Sequence, residues 1–149
     1  PKSMINLNAS APVQCIKTII VNAEIEKVWQ VLTNINDWPR SNDDIKRAKL
    51  SIQLKPQASF SWKSNGLTIN SKFHTVEPVT KLGWTGRTLG IYTVHNWTLG
   101  KSNNQTYVYV EESMVGIMAS MVSISLNKSL DRNMQNCLER LKNECGKQN

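Results

Sequence analysis

Cysteine, histidine and carboxylates are all scarce in this chain, and each shortage removes a class of function. Three cysteines stand in 149 residues, Cys15, Cys137 and Cys145, an odd number at wide spacing. That pattern supports neither a disulfide framework nor a zinc-binding arrangement. With two histidines and no cluster of histidine, cysteine and carboxylate, no metal centre is predicted and no cofactor is expected. No nucleophile elbow is found. Gly83, Gly86 and Gly90 are spaced for bends or bulges between strands, with no helix or lysine-serine ending after them, so they do not form a phosphate loop. No apolar run reaches the roughly 20 residues of a membrane span. There is no internal repeat and no low-complexity tract.

Acidic side chains number 11 against 18 lysines and arginines, a net charge of +7. Such a balance raises nucleic acid or an anionic surface as a partner. The cations are scattered, with only Lys46, Arg47 and Lys49 forming a local cluster, and no groove-reading motif accompanies them. Nucleic acid is therefore not expected as a partner. The chain opens at Pro1 without a hydrophobic signal core; a segment removed upstream is expected, and the compartment stays open between cytoplasmic and exported.

What is present is a run of strand patterns closed by a long helical one. Residues 1–12, rich in Asn, Ser and Ala, read as a flexible tail, and 13–146 as a single domain. Val13–Val21 is β-branched enough for a first strand. Asn22 is placed as the cap of a short helix whose apolar face carries Ile25, Val28, Trp29, Leu32 and Ile35. Asn36-Asp37-Trp38-Pro39 ends it, and residues 40–44 allow another helical turn. Alternating segments follow at 46–54, 58–64, 67–76, 81–88, 91–99 and 105–114, with Asn65-Gly66 the strongest hairpin signal. His74 alternates with polar residues and is expected in solvent.

From Met114 to Cys145 the apolar residues recur almost always at threes and fours: Ile117, Met121, Ile124, then Leu126, Leu130, Met134, Cys137, Leu138, Leu141 and Cys145. A single helix about 45 Å long is expected. Consecutive strands joined by short turns give an antiparallel sheet, and a sheet of about seven strands curls. Its apolar face needs a cover that only the long helix can supply. The fold class is thus α+β, a helix-grip, with two short helices after the first strand.

The order of these elements, with Lys27-Val28-Trp29, Asp37-Trp38-Pro39 and Phe60-Ser61-Trp62-Lys63, resembles the START-like (SRPBCC, Bet v 1-like) superfamily. The stretches Leu82–Ile91, Val94-His95-Asn96-Trp97 and Glu111–Gly116 look most like its bacterial polyketide cyclase/dehydrase-like members. The resemblance covers roughly residues 13–145 and implies a cavity between sheet and helix. Related sequences carry a second aromatic shortly after the Trp-Pro; here Ser41 stands near that place, which implies a looser or more polar entrance.

The strand register supplies the wall of that cavity: Phe60, Trp62, Ile69, Phe73, Trp84, Trp97, Val108 and Val110 from the sheet, and Ile117, Met118, Met121 and Val122 from the helix. Thr93, His95 and Glu112 add polar groups to it. If the turn between the last two strands lies near 101–104, His95 and Glu112 fall one diagonal step apart. Three functions are compatible with this set. The first is binding of a small hydrophobic molecule, a lipid or polyketide-like aromatic, with His95 and Glu112 as polar anchors. The second is cyclase or dehydratase chemistry with His95 as general acid/base and Glu112 orienting it. The third is a protein-interaction module, as in the co-chaperone branch of the superfamily, with Tyr107 and Tyr109 as a contact stripe. A monomer is expected.

Overall fold

The computed structural model describes residues 4–64 and 66–147. Seven strands form one antiparallel sheet in the order β1-β7-β6-β5-β4-β3-β2. They are β1 (Val13–Val21), β2 (Ile45–Leu50), β3 (Ser59–Ser64), β4 (Leu67–Glu77), β5 (Lys81–Thr88), β6 (Ile91–Ser102) and β7 (Gln105–Val115). The crossover from β1 to β2 holds α1 (Ile25–Thr33), a 3-10 turn (Ile35–Asp37) and α2 (Trp38–Ser41). After β7 come α3 (Ile117–Met121) and α4 (Ser123–Gly146). This is the α+β helix-grip.

Each β strand from β3 onward turns back on its neighbour, so alternation in sequence becomes alternation between a buried concave face and an outer face. The β3–β4 register runs Ser64↔Leu67, with Gly66 at φ +77°; the Asn65 half of the hairpin signal lies outside the described residues. β1 returns to pair with β7, Val13 opposite Met114 and Val21 opposite Thr106. The Thr106 hydroxyl then donates to the Ala23 carbonyl at 2.8 Å, tying the start of the crossover to the sheet.

Several boundaries differ from the sequence expectation for physical reasons. α1 begins after Glu24, which makes no side-chain cap, so Asn22 is not the cap residue. β2 stops at Leu50, and the chain beyond it instead reaches β3 through Ser51, whose amide and hydroxyl both donate to the Ser59 carbonyl at 3.0 and 2.7 Å. The long C-terminal helix is two helices. Met114 remains in β7 because sheet partners lie on both sides of it, Val13 and Thr93, and Val115 follows through Tyr92. Gly116, at φ +117°, makes the exit, a backbone state that a side chain rarely adopts.

α4 packs across the concave face with Leu130, Met134, Leu138, Leu141 and Cys145 buried, one stripe at steps of threes and fours. Lys17 pairs with Asp131 at 3.0 Å, and Asn127 links the helix to the start of β1, accepting from the Gln14 amide at 3.1 Å and donating to the Pro12 carbonyl at 2.9 Å. Ahead of β1, Ile5 and Asn8 lie against the outer face of the sheet. Asn96 Nδ2 donates to the Ile5 carbonyl at 2.7 Å, and the Asn8 amide donates to Ser113 Oγ at 3.3 Å. No helix among the described residues is long and apolar enough to cross a membrane.

Candidate functional site

Between the concave face and α4 lies a cavity of about 210 Å³. The sheet contributes Trp62, Ile69, Trp84, Thr93, His95, Trp97, Glu112 and Met114 to its wall. Leu126, Leu130, Met134, Cys137 and Leu141 of α4 close it from above, and Val31, Leu32, Trp38 and Ser41 stand at one end.

Alternation explains the sheet side. Residues of β5, β6 and β7 that point inward stand in cross-strand rows, so Trp84 faces His95 and His95 faces Glu112. The turn between β6 and β7 is the two residues Asn103 and Asn104, with Ser102 opposite Gln105 and Asn103 at φ +57°. That tight turn moves the register two residues from the expected one. His95 therefore stands directly opposite Glu112 instead of diagonal to it.

His95 Nδ1 lies 2.8 Å from Glu112 Oε1, with side chains 12% and 7% exposed. The imidazole is stacked on Trp84, centroids 4.3 Å apart and planes 12° from parallel, with Trp97 5.6 Å away on the same strand. An ionised carboxylate only accepts, so Nδ1 donates to it and the ring is fixed in position and tautomer. His95 Nε2 is buried and has no protein partner, and the same holds for Trp97 Nε1. A neutral imidazole held this way offers the lone pair of Nε2 as an acceptor, while the indole N–H offers a donor. Polar groups without partners are rare in a core and belong where something else supplies the hydrogen bond.

Trp38 organises the opposite end. Its indole N–H donates to the Leu32 carbonyl at 3.0 Å, and its ring packs edge-on to Phe60 at 5.7 Å and tilted against Trp84 at 5.6 Å. Ser41 lies at the end of α2 beside Arg140, whose guanidinium donates to its carbonyl at 3.2 Å and pairs with Asp43 at 3.2 Å. That end of the cavity is polar. Burial pushes the Cys137 thiol up to about 12, which disfavours its thiolate.

Of the residues expected at the site, Trp62, Ile69, Trp84, Thr93, His95, Trp97 and Glu112 line the cavity together. Phe60, Phe73, Val108 and Val110 sit behind that wall in the packed core, 3%, 0%, 0% and 0% exposed, the two phenylalanines stacked at 4.7 Å. Ile117, Met118, Met121 and Val122 are corrected: they lie outside, 78%, 41%, 72% and 41% exposed, because the break at Gly116 turns α3 away from the sheet. The helical wall comes instead from Leu126 to Leu141, residues of the same apolar stripe one to five turns further on. Their signal was the periodicity itself, strongest in the part of the stripe flanked by charge. Trp38 and Met114 were also missed.

His74 differs from its expectation as well. Its Nδ1 is 2.8 Å from Thr75 Oγ1 and accepts from the Ile5 amide at 3.5 Å, its ring covers Gly83, and burial lowers its proton affinity. Tyr109 is half-buried on the outer face, its hydroxyl donating to Glu111 at 3.1 Å.

A larger groove of about 330 Å³ runs outside, between α1, α2 and the end of α4. Its charges satisfy one another: Arg40 bridges Asp37 and Glu144 at 2.8 and 3.0 Å, and Lys147 reaches Glu144 at 2.7 Å. Those two cations, Lys147 first, hold the Glu144 carboxyl below its ordinary range. The smaller apolar cavity, with its unpartnered donor and acceptor, is the better ligand site.

The fold is shared with solved structures of low sequence identity. A hypothetical protein, jhp0584, from Helicobacter pylori superposes with a TM-score of 0.80 at 17% identity, covering 95% of this chain and 96% of its own. The Zhui aromatase/cyclase from Streptomyces sp. R1128 gives 0.77 at 12% identity, with 89% and 92% covered. A START superfamily protein from Mycobacterium smegmatis gives 0.70 at 10%, with 89% and 96% covered. No curated protein matches the sequence. The sequence model described as Activator of Hsp90 ATPase homolog 1-like protein matches residues 22–146, from the start of the crossover to the end of α4. The chain belongs to that family.

Proposed function

We propose that this protein binds a small hydrophobic molecule carrying one polar group, in the cavity between sheet and α4. The observation that carries the reading is the pairing of an apolar wall with two buried, unpartnered polar atoms, His95 Nε2 and Trp97 Nε1. A hydroxyl has the chemistry for either, donating to a neutral imidazole or accepting from the indole. At about 210 Å³ the space is below the roughly 300–1,000 Å³ of drug-sized sites, which favours one or two fused aromatic rings or a short acyl chain. Trp62, Trp84 and Trp97 present flat apolar surface suited to an aromatic ring.

Native mass spectrometry of the protein from its own source, followed by extraction, tests this. A stoichiometric apolar molecule is expected. A protein that carries nothing, and gains no thermal stability from a panel of phenols, naphthols and short fatty acids, contradicts it.

A second reading, acid–base catalysis on a bound carbonyl compound, is favoured by one observation. The His95–Glu112 pair has its outer nitrogen free inside an apolar site, the arrangement a general base needs. The aromatase/cyclase among the structural relatives has the same fold. Turnover of an extracted ligand's precursor, abolished in His95→Gln with binding retained, separates this reading from simple binding.

A further inference from the structure

The apolar residues that α3 carries away from the cavity do not disperse. Ile117, Met118, Met121, Val122 and Ile124 are 78%, 41%, 72%, 41% and 76% exposed, and Leu89, at the tip of the β5–β6 turn, is 72% exposed. They form one patch, because Gly116 packs so closely on the Gly90 carbonyl that a Cβ there would collide with it, and Met118 lies over Gly90. Large apolar side chains gathered this way on a soluble domain mark a contact surface.

The charges beside the patch have one sign. No Asp or Glu occurs between Asp44 and Glu77, between Glu77 and Glu111, or between Glu112 and Asp131. Those intervals supply the whole of this end of the sheet: the start of β2, the β3–β4 and β5–β6 turns, and α3 with the first turn of α4. Lys46, Arg47, Lys63, Arg87 and Lys128 lie there. The carboxylates that bound these intervals are paired elsewhere, Asp43 on Arg140 at 3.2 Å, Asp44 accepting from Asn136 at 3.4 Å and Asp131 on Lys17 at 3.0 Å.

We propose that this end of the molecule docks on an anionic lipid surface, with Ile117, Met121, Val122, Ile124 and Leu89 entering the interface and the surrounding cations over the headgroups. An apolar face at an end of the sheet whose turns and strand ends carry lysine and arginine is the chemistry such surfaces select. The patch also abuts the cavity. Thr88 and Ile91 flank Leu89 on the chain, and Met114 and Leu126 bracket α3 on either side, and all four line the cavity wall. Docking at this face would place that wall against the lipid. The docking does not depend on what the cavity holds, so its failure leaves the ligand-binding reading intact.

Flotation of the full chain with vesicles tests the proposal, using phosphatidylcholine alone and phosphatidylcholine with about one third phosphatidylglycerol. The wild type is expected to float with the anionic vesicles at low salt, to leave them at high salt and to ignore the neutral ones. Ile117→Asp and Ile124→Asp, both at open positions outside the cavity, are expected to keep the wild-type melting temperature and to lose at least about tenfold in partitioning. Equal partitioning of the variants, or no flotation of the wild type with anionic vesicles, overturns the proposal. So does a wild-type dimer by light scattering that Ile124→Asp converts to monomer, since a second copy would then own the face.

Discussion

The histidines divide the polar work of the sheet between its two faces. On the inner face, His95 satisfies Glu112 through Nδ1 and leaves Nε2 buried without a protein partner. His95→Ala should therefore weaken binding of a hydroxyl-bearing ligand about tenfold, one lost hydrogen bond in a dry site, and cost about 1–3 kcal/mol for the carboxylate left without its partner. Calorimetric titration reads the first and chemical denaturation the second; a variant that does not fold assigns His95 to structure alone. On the outer face, burial lowers His74, against the opposing pull of Asn96. Between the ordinary histidine value and the lowered one the unfolded chain holds more protons than the native chain. Stability is thus full above that window and falls as the pH drops through it. Denaturation at about pH 7.5 and about pH 5 should show a larger loss for wild type than for His74→Asn. Gly83 makes room for this ring: a Cβ there would collide with His74 Cε1 and stand 2.7 Å from Asn96 Oδ1. Gly83→Ala should cost about 1–3 kcal/mol by thermal unfolding, against a negligible change for Gly100→Ala, which meets nothing.

At the level of elements, the chain shows what period and alternation can say and where they stop. β1 and β5 have the bounds that their alternation indicates, because nothing else competes for those residues. Helical periodicity from Ile117 to Ile124 is equally clear, yet it marks an exposed face. Period reports that apolar side chains share a side, while only tertiary contact decides whether that side is covered. The end of β7 was legible to within one residue, Met114 expected against Val115 observed. Met114 is strand because Val13 of β1 and Thr93 of β6 pair with it from both sides, and Val115 because Tyr92 of β6 pairs with it. The His95–Glu112 pairing was legible to within one diagonal step, and the error lay wholly in the length of the Asn103-Asn104 turn. Gly116 is the hinge of this region. Gly116→Ala should lower stability by about 2 kcal/mol or more, since it strains a positive φ and drives a methyl into the Gly90 carbonyl. Leu138, 1% exposed on the buried face of α4, should cost about 2–5 kcal/mol when cut to Ala.

Across the whole molecule, the two ends of the cavity have different character. The α2 end is ringed by ion pairs that satisfy one another, and the α3 end is apolar outside and basic around it. Between them, four of the chain's five tryptophans face the cavity, Trp38, Trp62, Trp84 and Trp97, while Trp29 on α1 does not. A heteronuclear NMR titration of the indole N–H resonances with a small phenol or naphthol uses that division directly. Saturable shifts of the Trp97 and Trp84 indoles, the Trp97 N–H largest because it gains a hydrogen bond, with Trp29 unmoved, are what a ligand site under α4 predicts. Indoles that stay in place across the panel, or a response confined to Trp29, would contradict it.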